Sequence, residues 1–299
     1  MAAEVQRIDA PQERPPARLS SADESWWSRH GQLAEVSYWG LHVACLLVFA
    51  VGVSAADLWL LAATFGIRMF GITGVYHRYF AHKTYQTSRT FQFVLACIGC
   101  AATQKGPLWW AGHHREHHRL ADREGDIHSP KDGFYHAHQG WIFEGEWDAT
   151  RVERIRDFHR YPELVWLNQW HVVPPIALAL LCFLIGGASG LVWGFVVSTV
   201  LLWHSTYTVN SFAHLFGSRR YDTPDTSRNN WWIALLTMGE GWHNNHHHYC
   251  ASARQGFRWW EIDLSYYTLR LLQAAGLIWA IREPPAHLLR DAPRLRDAA

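Results

Sequence analysis

The sequence predicts an all-α membrane protein: four transmembrane helices with a cytosolic helical cap that holds a histidine-rich metal centre. Three observations predict it. Two long tracts carry no formal charge except Asp57, and each is broken by a glycine-bearing turn. Lys and Arg sit outside those tracts. Of the 20 histidines of this 299-residue chain, 11 gather at four places, at or just beyond the ends of the predicted spans.

The first tract runs from Val36 to Ala56 without Asp, Glu, Lys or Arg, and resumes after Asp57 from Leu58 to Ile67. A span needs about 20 mostly apolar residues. Residues 36–76 therefore hold two spans, near 36–53 and 57–76, with a turn near Gly52–Asp57. The second tract, Leu164 to Ser218, is 55 residues without a formal charge, with Gly186, Gly187 and Gly190 in its middle. It holds spans near 172–186 and 190–211 and exceeds any ordinary buried core segment. Two shorter apolar runs, 91–104 and 230–239, are too short to cross and lie in the interface or pack under the spans.

Charge sets the orientation. Residues 77–163 carry 12 of the 27 Lys and Arg, residues 219–299 carry 10, and the two turns carry none. Basic segments stay cytoplasmic, so both termini and the active face are expected in the cytoplasm. The domain reading is a polar, Pro-rich, mobile tail over 1–34, without the early apolar stretch of a cleavable signal. A membrane domain follows over 35–282, its cap built from 77–163 and 219–282, and then a polar tail over 283–299.

Composition excludes other classes. With 49% hydrophobic and 18% charged residues and a net charge of +1, the chain is neither disordered nor a globally basic nucleic-acid binder. Five cysteines, four of them in apolar runs, do not make a disulfide scaffold. Cys97-x-x-Cys100 reads as core packing. The paired tryptophans Trp109-Trp110, Trp231-Trp232 and Trp259-Trp260 read as interface belts and packing.

The histidine groups are His77-Arg-Tyr-Phe-Ala-His82, His113-His114-Arg-Glu-His117-His118, Asn210-Ser-Phe-Ala-His214 and His243-Asn-Asn-His246-His247-His248. His114/His117/His118 and His243/His246/His247 share the offsets i, i+3, i+4 of one helix face. Asn210 and His214 are i, i+4. His77 and His82 stand about 140° apart on an α-helix and would straddle the point where the helix leaves the membrane. Nine imidazoles exceed what one metal holds, so two metals are the natural count. Five- or six-coordinate iron suits such a set, although spacing does not choose iron over zinc, copper or nickel. His113 and His248 extend the motifs but break the offsets. His128, Glu240, Glu116 and Asp126 lie beside the motifs and read as hydrogen-bond partners of ligands. His30, His42, His136, His138, His159, His171, His204 and His287 read as surface, interface or packing residues. Arg78, Arg115 and Arg119 read as structural or solvated as readily as contacts for a substrate headgroup.

At these residues the sequence resembles the membrane fatty-acid desaturases of the stearoyl-CoA type and their bacterial relatives. The matching stretches are Gly74-Val-Tyr-His77 to His82, Trp110-Ala-Gly-His-His114 to His118, Asn210 to Gly217 and Gly239-Glu-Gly-Trp-His243 to His247. The resemblance covers roughly residues 35–282. It implies a di-iron centre whose ligands are His77, His82, His114, His117, His118, His214, His243, His246 and His247, with Asn210 holding a metal-bound water. It implies an enzyme that uses O₂ and two electrons to insert a cis double bond into an acyl chain, acyl-CoA at the delta-9 position being the usual case. It places such a protein in a bacterial inner membrane, in contact with lipid and with no nucleic acid. His113 departs from the acid of the animal enzymes. No His-Pro-Gly-Gly marks a fused cytochrome b5 module. The donor is then a separate protein such as ferredoxin, rubredoxin, or cytochrome b5 with a reductase. Two alternatives are a histidine-rich di-iron hydroxylase of lipids or alkanes and a membrane metal transporter or storage protein.

Overall fold

The computed structural model describes residues 31–289. Residues 1–30 and 290–299, which include most of the two expected tails, lie outside the described residues. Among the described residues the regular structure is helical apart from an antiparallel pairing of Gln86–Thr87 with Ile278–Trp279 and the isolated bridges Ser218–Asn229 and Asn229–Trp242. The helices used below are α1 (Gly31–Ala44), α2 (Ala55–Phe70), α3 (Arg89–Cys100), α4 (Pro107–Leu120), α5 (Pro162–Gln169), α6 (Val173–Leu191), α7 (Ser198–Asn210), α8 (Phe212–Leu215), α9 (Trp231–Leu236), α10 (His243–His248) and α11 (Leu264–Ala274).

Two continuous helical stretches among the described residues are long and apolar enough to cross a membrane, Ala55–Ala81 and Val173–Leu215. The apolar helix Glu35–Val51 is shorter. Gly52, at φ +71°, ends the α1 segment. Ser54 then starts α2 through a capping box, its side chain accepting from the Asp57 amide while Asp57 accepts from the Ser54 amide at 2.9 Å. This accounts for the one charge inside the first tract: it satisfies amides that a helix start leaves open.

The second tract turns back on itself. A straight helix would separate Cys182 and Gly190 by about 12 Å, yet a Cβ on Gly190 would lie 2.5 Å from the Cys182 carbonyl. The reversal sits at Gly187, whose φ of +62° favours glycine. The two turns meet: the Trp193 indole donates to the Gly52 carbonyl at 2.7 Å. Phe49, Ile176, Leu184 and Ile185 are exposed on these segments, a large apolar surface of the kind that water does not tolerate.

Inside, the helices are tied by polar contacts. Arg68, fully buried, donates to Ser198 Oγ at 2.6 Å and Thr199 Oγ1 at 2.7 Å, joining α2 to α7. Thr64 Oγ1 donates to the Gly194 carbonyl at 2.7 Å. Helix α3, the first of the two short apolar runs, packs against the continuation of α2. A Cβ on Gly99 would lie 2.2 Å from the Tyr76 ring, so only glycine permits this approach. Tyr76 donates to Cys100 Sγ at 3.0 Å, and Cys100 is fully buried.

The cap lies beyond the ends of these helices that carry His77 and Asn210. Residues 283–289, assigned by sequence to the C-terminal tail, dock there. Leu288 is buried with Tyr221 and Phe257, and Glu283 accepts from Tyr266 at 2.5 Å.

Candidate metal centre

Helix α2 does not stop at Phe70. It continues as a π-helix over Gly71–Ala81, every residue of which is buried. In a π-helix the i→i+5 hydrogen bond stacks residues five apart, and the His82 amide donates to the His77 carbonyl at 3.1 Å. The spacing that would place His77 and His82 about 140° apart on an α-helix thus brings both imidazoles to one face.

Helices α4 and α10 carry the two HxxHH motifs, and each divides its histidines between two groups. On α4, His114 and His118 go to one group and His117 to the other; on α10, His243 and His247 go together and His246 goes across. The first group is His77, His82, His114, His118 and His246, and the second is His117, His214, His243 and His247. Within each, the candidate ligand atoms lie within 4.8 Å of one another. In the first group Nε2 meets Nε2 at 3.0 Å for His77–His246, 2.9 Å for His246–His118, 3.0 Å for His118–His114 and 3.1 Å for His114–His82. In the second, the Nε2 atoms of His214 and His243 are 3.0 Å apart.

The opposite ring nitrogens explain the convergence. His117 Nδ1 faces Asp126 at 2.7 Å, His247 Nδ1 faces Asp225 at 3.0 Å, His214 Nδ1 faces Asp122 at 3.3 Å and His77 Nδ1 faces Glu240 at 2.5 Å. A carboxylate on Nδ1 holds the proton there and leaves Nε2 a bare lone pair. The buried Nε2 atoms of His117 and His247 have no hydrogen-bond partner. Lone pairs aimed at one another in a dry interior are unfavourable unless a cation lies between them. The donor set therefore fits two metal ions, one with five imidazoles and one with four.

Electrostatics keep those lone pairs available. Burial holds His82, His114, His118, His243 and His246 well below the usual imidazole range, and repulsion among the rings adds to it. Burial pushes His247 down to about 4, against the opposing pull of Asp225. His117 is the exception: burial lowers it, but Asp126 more than compensates and raises it. Burial pushes Asp122 upward, but its contacts with His214 and Thr226 bring it to about 2.

Other candidates fall as follows. Asn210, at the end of α7, lines a pocket with His243 and Glu240. The helix breaks at Ser211, so Asn210 and His214 stand on α7 and α8 rather than on one uninterrupted face. Asp126 and Glu240 have the expected role. Glu116 does not: it pairs with Arg119 and Arg154 and meets no ligand. Its position one residue before His117 points it about 100° away on the helix. His113 is bonded to the Ala149 carbonyl at 3.0 Å and His248 stacks on Tyr221, so neither joins a group. His128 sits 4.3 Å from the His117 ring and forms a third set with His117 and Asp126. Arg78 and Arg115 are structural, bound to Asp263 and Glu240 and to Asp157 respectively. Of the paired tryptophans, Trp231, Trp232, Trp259 and Trp260 are exposed, whereas Trp109 is buried.

Sequence reading missed Asp122 and Asp225. Asp122 lies one α-helical turn beyond His118, which was the available signal. Asp225 lies in a loop 22 residues before His247 and gave none. The pocket beside the centre is walled by Ile72, Trp109, Trp110, Trp141, Ile142, Tyr207 and Val209. Of its polar wall groups, Gln104 donates to Thr206 at 2.8 Å and accepts from Trp110 at 3.4 Å, whereas Trp141 Nε1 and His128 Nδ1 are buried without a hydrogen-bond partner.

Asp225→Asn is expected to weaken metal retention about 10–100-fold, read as metal left after dialysis against a graded chelator. Glu116→Gln should leave retention unchanged.

Comparison with known proteins agrees with this geometry. The family model described as fatty acid desaturase matches residues 54–281. An sn-1 stearoyl-lipid 9-desaturase of Anabaena variabilis is 40% identical over 247 residues, 80% of this chain and 89% of the relative. An acyl-CoA 5-desaturase of Anemone leveillei is 38% identical over 250 residues, 82% of this chain and 77% of the relative. A chloroplastic palmitoyl-monogalactosyldiacylglycerol delta-7 desaturase of Arabidopsis thaliana is 33% identical over 266 residues, 87% and 72% respectively.

Proposed function

The chain belongs to the fatty acid desaturase family, and from this we propose that it inserts a cis double bond into a saturated fatty acyl chain, using O₂ and two electrons. The observation that carries the reading is the pair of convergent imidazole groups opening on an apolar pocket. In this reading His77, His82, His114, His118 and His246 hold one iron, and His117, His214, His243 and His247 hold the other. Asn210 supports a water that completes the four-imidazole site. Bound there, the two irons supply the oxidising power for C–H cleavage that no amino-acid side chain has.

The remaining work belongs to the protein. Asp122, Asp126, Asp225 and Glu240 fix the imidazole tautomers. Burial favours the neutral form of His82, His114, His118, His243, His246 and His247. The tryptophan and aliphatic walls hold an acyl chain extended and dry against the centre. Four spans with a cytoplasmic cap suit this work, because a lipid-borne substrate reaches a membrane-embedded pocket directly. The exposed apolar faces of 36–53 and 172–186 support that topology. Electrons come from a separate protein, a ferredoxin, a rubredoxin, or cytochrome b5 with its reductase.

For the substrate, the reading is delta-9 desaturation of an acyl-CoA. A second reading, an acyl chain esterified in a glycerolipid, is favoured by the name of the 40% identical relative, an sn-1 stearoyl-lipid 9-desaturase.

The test is gas chromatography–mass spectrometry of fatty acids from cells expressing the chain, with His114→Ala as control. A new monounsaturated acid absent from the control is expected. Labelled stearate then separates the carriers: label becomes unsaturated first in the CoA pool or first in glycerolipid. A hydroxy acid instead of an alkene would overturn the desaturase reading.

A further inference from the structure

The two imidazole groups differ in what stands behind them. The four-imidazole group has three carboxylates on its outer ring nitrogens: Asp126 on His117, Asp122 on His214 and Asp225 on His247. Only its fourth member, His243, has a buried outer nitrogen without a partner. The five-imidazole group has one carboxylate, Glu240 on His77. That one is shared, since Glu240 also accepts from Arg78 at 3.1 Å and from Gln255 at 2.9 Å. Among the described residues no carboxylate pairs with His82, His114, His118 or His246, and the outer nitrogen of His246 is buried without a partner.

Burial differs in the same direction. His117, His214 and His243 are 2–3% exposed, and the His247 side chain is 2% exposed. In the five-imidazole group His77 and His246 are buried, but His82, His114 and His118 are only half-buried.

Asp122 shows how the four-imidazole group is built. Its Oδ2 faces His214 Nδ1 at 3.3 Å and accepts from the Thr226 hydroxyl at 2.7 Å. Its amide donates to Asp126 Oδ2 at 2.8 Å, and Asp126 Oδ1 holds His117 at 2.7 Å. One residue thus orients two of the four rings. It does so at φ +59°, a conformation uncommon outside glycine. Such strain persists where the surroundings over-determine it. The other oxygen, Asp122 Oδ1, is buried without a hydrogen-bond partner. A buried anion that the protein leaves partly unpaired favours a cation close by. Lys131 and Arg219 donate to the backbone carbonyls of Asp122 and Asp225, at 2.8 and 3.0 Å, rather than to their carboxylates.

The balance lies between ligand number and charge. The five-imidazole site has one more neutral donor. The four-imidazole site has two more carboxylate partners. Each such partner is worth about 10–100-fold in metal affinity, so two separate the sites by at least about 10²-fold. An anion also acts on a dication across the width of a ring in a dry interior, and the carboxylates therefore outweigh the extra imidazole.

We infer that the four-imidazole site is the tight one and the five-imidazole site the exchangeable one, so that a chain short of metal holds a single ion, on His117, His214, His243 and His247. As an order of metal binding, this rests on the two-metal reading of the centre alone. As a control of turnover, it rests on the desaturase reading: alkene formation then follows iron supply through the five-imidazole site. Asp122 is a positioning residue and touches no substrate.

The test is anaerobic titration of the metal-free full chain with Fe²⁺ against a competing chelator. The wild type is expected to bind in two steps, at least about 10²-fold apart in dissociation constant. His246→Ala should keep the tight step, and His214→Ala should lose it. Asparagine tolerates the φ of Asp122, so Asp122→Asn removes the charge without straining the turn. It should weaken the tight step by about 10–100-fold and leave the weak step unchanged, whereas a misfolded chain would lose both. The reverse pattern, with the tight step lost in His246→Ala and kept in His214→Ala, would overturn the proposal. So would two ions bound in one step by the wild type. Ordered binding without alkene from the two-iron chain would leave the order standing and sink the desaturase reading. Alkene from a chain that holds only the tight ion would overturn the control of turnover.

Discussion

His246→Ala is expected to reduce double-bond formation to background, a drop of more than about 10²-fold, because in the proposed centre it removes a ligand rather than a partner of one. His246 is the imidazole that α10 sends across to the first group. Its Nε2 faces both His77 and His118, at 3.0 and 2.9 Å. Removing it takes one donor from the five-imidazole site, while His114 and His82 still meet at 3.1 Å. The four-imidazole group keeps all its members, so the variant should retain part of its metal. The assay is the fatty-acid profile of expressing cells, with metal content measured on the same preparation. A variant that still forms wild-type amounts of product would show that His246 is no ligand.

The largest effect on stability is expected from Arg78→Met. Arg78 is fully buried beneath the centre, donating to Asp263 at 2.8 Å, to the Ala253 carbonyl at 2.8 Å and to Glu240 at 3.1 Å. Glu240 in turn holds His77. Removing the cation leaves two buried carboxylates without their partner, which costs about 3–5 kcal/mol. Melting of the detergent-solubilised chain should fall by roughly 10 °C, and metal should be lost with the His77 contact. Arg78→Lys should recover only part, since an ammonium cannot reproduce the forked geometry. A cavity-only effect, with Arg78→Lys no better than Arg78→Met, would contradict this account. Gly239, at φ +125°, is part of the same packing: a Cβ there would lie 2.4 Å from Asp263 Oδ1.

Much of the centre was legible because ligand chemistry is local. The HxxHH offsets follow from helix geometry, and the charge-free tracts coincide with the long apolar helical stretches. What was not legible depends on tertiary contact. The π-helix over Gly71–Ala81 reverses the reading of His77 and His82, and no local pattern announces it. It is fixed by packing against α3 and α4, where Gly71 and Gly99 admit neighbouring chain. Asp225 reaches His247 through loop geometry alone. Arg68, immediately after the first tract, serves as a clamp between helices and not as a boundary. Conversely, Glu116 adjoins a ligand in sequence and is remote from the centre in space.

The central claim is that two metals share nine imidazoles. The direct measurement is elemental analysis of the purified full chain, wild type beside His246→Ala and His214→Ala. The account predicts about two irons per wild-type chain and a partial loss in each variant, from a different site in each. One metal per wild-type chain, or zinc in place of iron in an enzyme that makes the alkene, would contradict it.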